Sequence, residues 1–173
     1  MRVDPAIGPI PVAEFDSAPA ADAAAELLPC CTSRRWISGL VAGRPYIRLD
    51  RLTAASDALL AKLDWPELAG VLASHPRIGE RAAGTTREGS WSRQEQSGAA
   101  GAGEQVRREL AAANAAYEER FGHVFLICAT GLSGEAMLAA LRSRLRNDPV
   151  AEREVVRGEL VKIVRLRLAR AFR

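Results

Sequence analysis

His75 follows an apolar stretch (Leu68, Val71, Leu72) and is followed at once by Pro76. A proline disfavours helical backbone at the residue before it, so the helix carrying that stretch stops near His75. The ring is then held at a fixed point beside a loop. Proton transfer near neutral pH is the task an imidazole suits. A purely structural histidine is the competing assignment, and it applies with more force to His123, next to Gly122 at an expected turn. Glu95 lies twenty residues after His75, inside Ser92-Arg93-Gln94-Glu95. That pattern fits a capping box, in which Glu reaches back to the N–H of the cap residue. Ser92, Glu95 and Gln96 are then expected in the first turn of a helix, where the dipole favours a carboxylate and open N–H groups suit an anion or a carbonyl. Arg167 continues the helical stripe of Val156, Leu160 and Ile163. It is either an arginine snorkelling near a helix end or a buried guanidinium offering a planar fork to a carboxylate.

These side chains need a scaffold, and composition indicates which. The chain has 173 residues, 48% hydrophobic and 26% charged, the balance of one globular domain. Aromatics are only 5%, whereas Ala occurs 32 times. Ala is the best helix former, so the expected class is all-α: a single-domain helical bundle of about seven to eight helices. It would span residues 11–173, behind a mobile tail at 1–10. Collagen-like, disordered and disulfide-stapled classes are excluded. Three cysteines (Cys30, Cys31, Cys128), two of them adjacent, make a poor disulfide framework and argue for a reducing compartment. With two His they match no zinc spacing, so no metal is expected. The N-terminus carries acids and prolines where a signal peptide needs a basic flank and an apolar run. The longest apolar stretch, 124–129, is too short to span a bilayer. No membrane association is expected, and the location is read as cytoplasmic.

Net charge is +3, yet residues 142–173 hold ten Arg or Lys against four Asp or Glu, so that segment is +6 and the remainder −3. Such a basic end suits nucleic acid, an acidic partner or an anionic substrate, or is a solvated helix face.

Local signals place the elements. One or two short helices cover 12–28, broken at Pro19. Ser33 caps a helix through Trp36 and Leu40, and another spans 52–63. Asp64-Trp65-Pro66-Glu67 opens the helix that leads to His75. Residues 76–91 read as a loop of about 15 residues, a length that is usually functional or disordered. Residues 92–122 are helical, with a break at Gly98, Gly101 and Gly103. The stretch 121–131 reads as a strand or as a buried helical end, and periodicity does not separate the two. Ser133 and Asp148-Pro149 open two final helices.

In combination the motifs are specific. His75-Pro76-Arg77-Ile78-Gly79-Glu80 is followed by Ser92-x-x-Glu95-Gln96 and by Tyr117-x-x-Arg120-Phe121-Gly122. Then come Val124-Phe125-Leu126-Ile127-Cys128-Ala129-Thr130-Gly131, Arg144-Leu145-x-Asn147-Asp148 and Glu159-x-x-Lys162-Ile163-x-x-Leu166-Arg167-Leu168. Trp36 and Arg44-Pro45-Tyr46 fit upstream. The chain resembles the OHCU (2-oxo-4-hydroxy-4-carboxy-5-ureidoimidazoline) decarboxylases of urate degradation from about residue 12 onward. The resemblance implies an all-α homodimer that uses no cofactor and acts as a carboxy-lyase yielding (S)-allantoin. It makes His75 and Glu95 the catalytic pair. Pro76, Ser92, Gln96 and the backbone of Ile127, Cys128, Ala129, Thr130 and Gly131 become the substrate pocket, and Arg167 grips the substrate. The terminal Ala171-Phe172-Arg173 lacks a peroxisomal tripeptide, which favours a bacterial cytoplasmic enzyme.

The rival from another class is a non-enzymatic helical module whose Arg-rich last helix binds nucleic acid or an acidic protein. It leaves the spacing of His75 and Glu95 without a purpose. A hydrolase built on Cys128 or Ser133 lacks a histidine with an orienting partner near either residue.

Overall fold

Half of the helices begin where a short polar side chain satisfies open backbone N–H groups. The structure, a computed structural model, describes residues 8–80 and 86–173. Ten α-helices and no strand occur among the described residues: α1 (Val12–Ser17), α2 (Ala20–Leu27), α3 (Arg34–Ala42), α4 (Leu49–Ala61), α5 (Trp65–Leu72), α6 (Arg87–Glu95), α7 (Ser97–Ala100), α8 (Glu104–Phe121), α9 (Gly134–Arg144) and α10 (Pro149–Ala171). The all-α class holds, with more helices than the expected seven to eight. Pro19 separates α1 from α2, and the stretch from Ser92 is divided at Gln96 as well as at its glycines. Four of the expected caps form, at Ser33, Asp64, Ser133 and Asp148. Ser33 Oγ accepts from Trp36 N–H at 3.1 Å, Asp64 Oδ1 from Glu67 N–H at 3.0 Å and Ser133 Oγ from Ala136 N–H at 3.1 Å. Asp148 Oδ1 accepts from the N–H groups of Val150 and Ala151.

The chain divides into two compact units, one made of residues up to Val71 with Val161–Arg173, the other of Leu72–Leu160. Both boundaries fall inside helices, α5 and α10, so no linker composition marks them. In the first unit Trp36, Leu40, Leu52, Leu60, Val164 and Leu168 are fully buried, and Phe15 meets Phe172 edge-on at 5.0 Å. Trp36 Nε1 donates to Ser56 Oγ at 3.0 Å. Arg44 donates to the carbonyls of Val41, Phe15 and Ala18, which ties the upstream motif to the end of α1. Residues 1–7 of the expected tail lie outside the described residues. Ile10 pairs its backbone with Ala171 and Arg173 in an isolated bridge.

In the second unit one apolar cluster joins Ile78, Ala99, Leu110, Tyr117, Phe125, Ala129, Met137, Leu138 and Leu141. Three of the sequence motifs therefore share a single core: the turn after His75, the segment after Glu95 and the stretch 124–131.

Candidate active site

α5 ends at Leu72, and His75 N–H closes the following turn on Leu72 C=O at 3.0 Å. That turn is tied down from several directions. Gln96 accepts from Gly79 N–H at 3.1 Å and donates to Pro76 C=O at 3.4 Å. Asn114 Nδ2 donates to Ile78 C=O at 2.9 Å. Arg77 makes a two-pronged ion pair with Glu118, its Nη2 lying 2.9 Å from Oε2. The guanidinium beside it holds the Glu118 carboxyl below the usual carboxylate range. Gly79 has φ +90°, a conformation that glycine adopts without strain. His75 is half-buried on this braced turn.

The expected first turn at Ser92 is not there. Thr86 caps α6 by accepting from Gly89 N–H at 3.1 Å, so the helix starts at Arg87 and the preceding loop is shorter than expected. Of the expected 76–91 loop, residues 81–85 lie outside the described residues. Ser92 falls in mid-helix and Glu95 is its last residue, so the capping box and the helix-start anion receptor are both overturned. The two side chains are three positions apart, hence on one face, and both are buried. Ser92, His75 and Pro76 line one pocket of about 280 Å³ together with Ser74, Thr86, Glu88 and Gly89. Glu95 continues the same helix face one turn on, and Gln96 is spent on bracing the turn. Glu88 places a further carboxylate in the pocket. Sequence alone does not single it out, because residues 76–91 read as loop, whereas Glu88 lies in α6.

Residues 122–133 form neither strand nor helix, so both alternatives for this stretch are corrected. Phe125, Leu126 and Ala129 are buried, while Ile127 and Cys128 are half-buried and Thr130 and Gly131 exposed. Side chains far along the chain pin this wall. Arg144 Nη1 donates to Leu126 C=O at 2.6 Å, and Cys128 N–H donates to Glu159 Oε2 at 2.7 Å. α7 abuts its far end: a Cβ on Gly98 would lie 1.9 Å from Leu132 O. Only glycine permits that approach, and spacing alone does not reveal it.

Comparison with known proteins identifies the family. The family model for OHCU decarboxylase matches residues 16–169. The chain belongs to the OHCU decarboxylase family. Among relatives, a 2-oxo-4-hydroxy-4-carboxy-5-ureidoimidazoline decarboxylase from Amia calva is 34% identical over 73% of each chain. The uric acid degradation bifunctional protein TTL of Arabidopsis thaliana is 30% identical over 83% of this chain, which spans only 45% of that protein. A crystal structure of OHCU decarboxylase in the presence of (S)-allantoin matches with a TM-score of 0.73 at 26% identity, covering 83% of this chain and 94% of that one. A crystal structure of (S)-allantoin synthase, 20% identical with a TM-score of 0.70, shares the fold over 92% of this chain and 53% of that one.

In the basic C-terminal region several arginines are paired within the protein. Arg144 is buried against Glu152, Arg142 pairs with Glu109 and Arg165 pairs with Asp57. Arg167 is 1% exposed and donates to Pro29 C=O at 3.2 Å, so the snorkelling alternative is overturned. Arg167 belongs to the first unit, whereas His75, Ser92, Glu95 and residues 127–131 belong to the second. Among the described residues no helix is long and apolar enough to cross a membrane.

Proposed function

We propose that this protein decarboxylates 2-oxo-4-hydroxy-4-carboxy-5-ureidoimidazoline to (S)-allantoin. The observation that carries the reading is the pocket in which His75, Pro76 and Ser92 meet, with Glu95 buried one turn along the same face of α6. The substrate bears a carboxylate and a hydroxyl on one ring carbon, next to a carbon in a C=N bond. When the bond to CO₂ breaks, its electron pair forms a C=C bond and the C=N electrons move to nitrogen, which takes a proton. The hydroxyl then gives up its proton to become C=O, and the neighbouring carbon receives a proton on one face. The substrate is its own electron sink, so the protein supplies orientation, charge placement and proton delivery.

In this reading Glu95 and His75 hold the hydroxyl for proton exchange, and His75 delivers the proton that sets the handedness of the product. Ser92 and the backbone of 127–131 line the substrate's polar edge, and Gln96 fixes the His75–Pro76 turn. The protein works as a homodimer in the bacterial cytoplasm. Light scattering should then return twice the 18.6 kDa of one chain.

The test generates the labile substrate in place with urate oxidase and hydroxyisourate hydrolase and follows its loss with and without the protein. Catalysed loss with stoichiometric CO₂ release is the expected result. A decay curve identical to the protein-free control would sink the proposal.

A further inference from the structure

Ile127 stands between two gripped peptide planes. The plane before it ends in Leu126 C=O, which accepts from Arg144 Nη1 at 2.6 Å. The plane after it begins with Cys128 N–H, which donates to Glu159 at 2.7 Å. Both peptide bonds are trans, and in a trans peptide the C=O and the N–H of one plane point in opposite directions. Holding Leu126 C=O therefore turns Ile127 N–H away from Arg144. Holding Cys128 N–H likewise turns Ile127 C=O away from Glu159. Among the described residues neither the N–H nor the C=O of Ile127 makes a hydrogen bond.

Arg144 is itself held in place. Arg144 Nε and Nη2 lie 2.8 and 2.6 Å from Glu152 Oε1, and the guanidinium stacks 4.4 Å over the Phe125 ring. Asn147 Nδ2 donates to the other Glu152 oxygen at 2.8 Å. Leaving a half-buried donor and acceptor both unmade is costly, and these two stand side by side on one residue.

We propose that Arg144 and Glu159 are positioning residues, setting the planes that flank Ile127 so that its N–H and C=O form a donor–acceptor pair for the N–H/C=O edge of a ureide or cyclic imide. The inference rests on the proposed decarboxylase reading for its choice of substrate edge. It also assigns Cys128 N–H to Glu159 and removes it from the groups offered to substrate.

Arg144 variants would strand Glu152 in the core, so Glu159 carries the test. Amide-resolved NMR follows (S)-allantoin binding to the wild type, Glu159→Ala and Glu159→Gln, alongside steady-state kinetics. Allantoin should shift the Ile127 amide. Glu159→Ala, still folded, should raise both the Kd for allantoin and KM about tenfold while kcat changes much less. Glu159→Gln keeps an acceptor for Cys128 N–H and should restore both to within about threefold. A folded Glu159→Ala protein with wild-type Kd, or an Ile127 amide unmoved by saturating allantoin, overturns the proposal. A wild type that turns over no substrate, yet loses allantoin affinity in Glu159→Ala, overturns the decarboxylase reading and leaves the positioning role standing. A wild type that does neither overturns both.

Discussion

Glu95 sits where stability alone would not put a carboxylate. It is buried, and it ends α6, where the helix dipole is negative and disfavours an anion by about 0.3–1 kcal/mol. That position at the end of α6 does not fit capping, the role its spacing from Ser92 suggested, and leaves chemistry beside the pocket as its proposed purpose. Glu95→Gln should therefore lower kcat/KM by roughly 10²–10⁴ if the group handles a proton. Its melting temperature should stay level or rise. A variant that is destabilised yet nearly fully active would return Glu95 to a structural role. His75→Ala should show the same size of loss with little change in melting, because Gln96, Asn114 and Arg77 brace the turn. Some of this was legible in sequence. Pro76 fixes the end of α5, and the stripe of Val156, Leu160 and Ile163 put Arg167 on the buried face. Glu88 was not, because residues 76–91 read as loop, nor was the role of Glu159, whose partner Cys128 lies 31 positions away.

Elements with a local start signal were readable, and those fixed from a distance were not. Ser33, Asp64, Ser133 and Asp148 each satisfy N–H groups within three residues, so the helices they open could be placed from sequence. α6 was misplaced because Gly89 in its first turn lowers helix propensity, while Thr86 and the buried side of Gly89 compensate. The wall at 124–131 has no period of its own because residues 18 and 31 positions away hold it. Gly98 offers the sharpest test at this scale. Gly98→Ala pushes a methyl against a backbone carbonyl that cannot swing aside, and should cost about 1–3 kcal/mol. It should also lower kcat/KM, since Leu132 adjoins the wall. Gly101→Ala is the control, because its nearest neighbour stands at an ordinary 3.6 Å. Equal melting temperatures for the two variants would show that the close approach of α7 to Leu132 does not constrain the fold.

For the molecule as a whole, the buried cluster of Tyr117, Arg144, Asn147 and Glu152 links pH to stability. Burial first, and then the hydrogen bond it donates to Glu152, push the Tyr117 hydroxyl well above the usual tyrosine range. A raised folded-state pKa contributes stability that is complete below the unfolded value, near 10, and is lost as pH rises beyond it. Tyr117→Phe should melt lower than wild type at pH about 8, and the gap should narrow above pH about 10. A gap that stays constant into strong alkali would mean the hydroxyl is not coupled to folding. The all-α class and most of the motif order were legible in composition and spacing. The division into two units was not, because its boundaries lie inside α5 and α10. In the proposed reaction the His75 pocket delivers a proton to one face of the substrate ring. Circular dichroism of allantoin as it forms, with wild type and with His75→Ala, tests that most directly. A rapid dextrorotatory signal with the wild type, absent from the variant, is the expected result. A racemic product from the wild type, or an unchanged signal from His75→Ala, would contradict it.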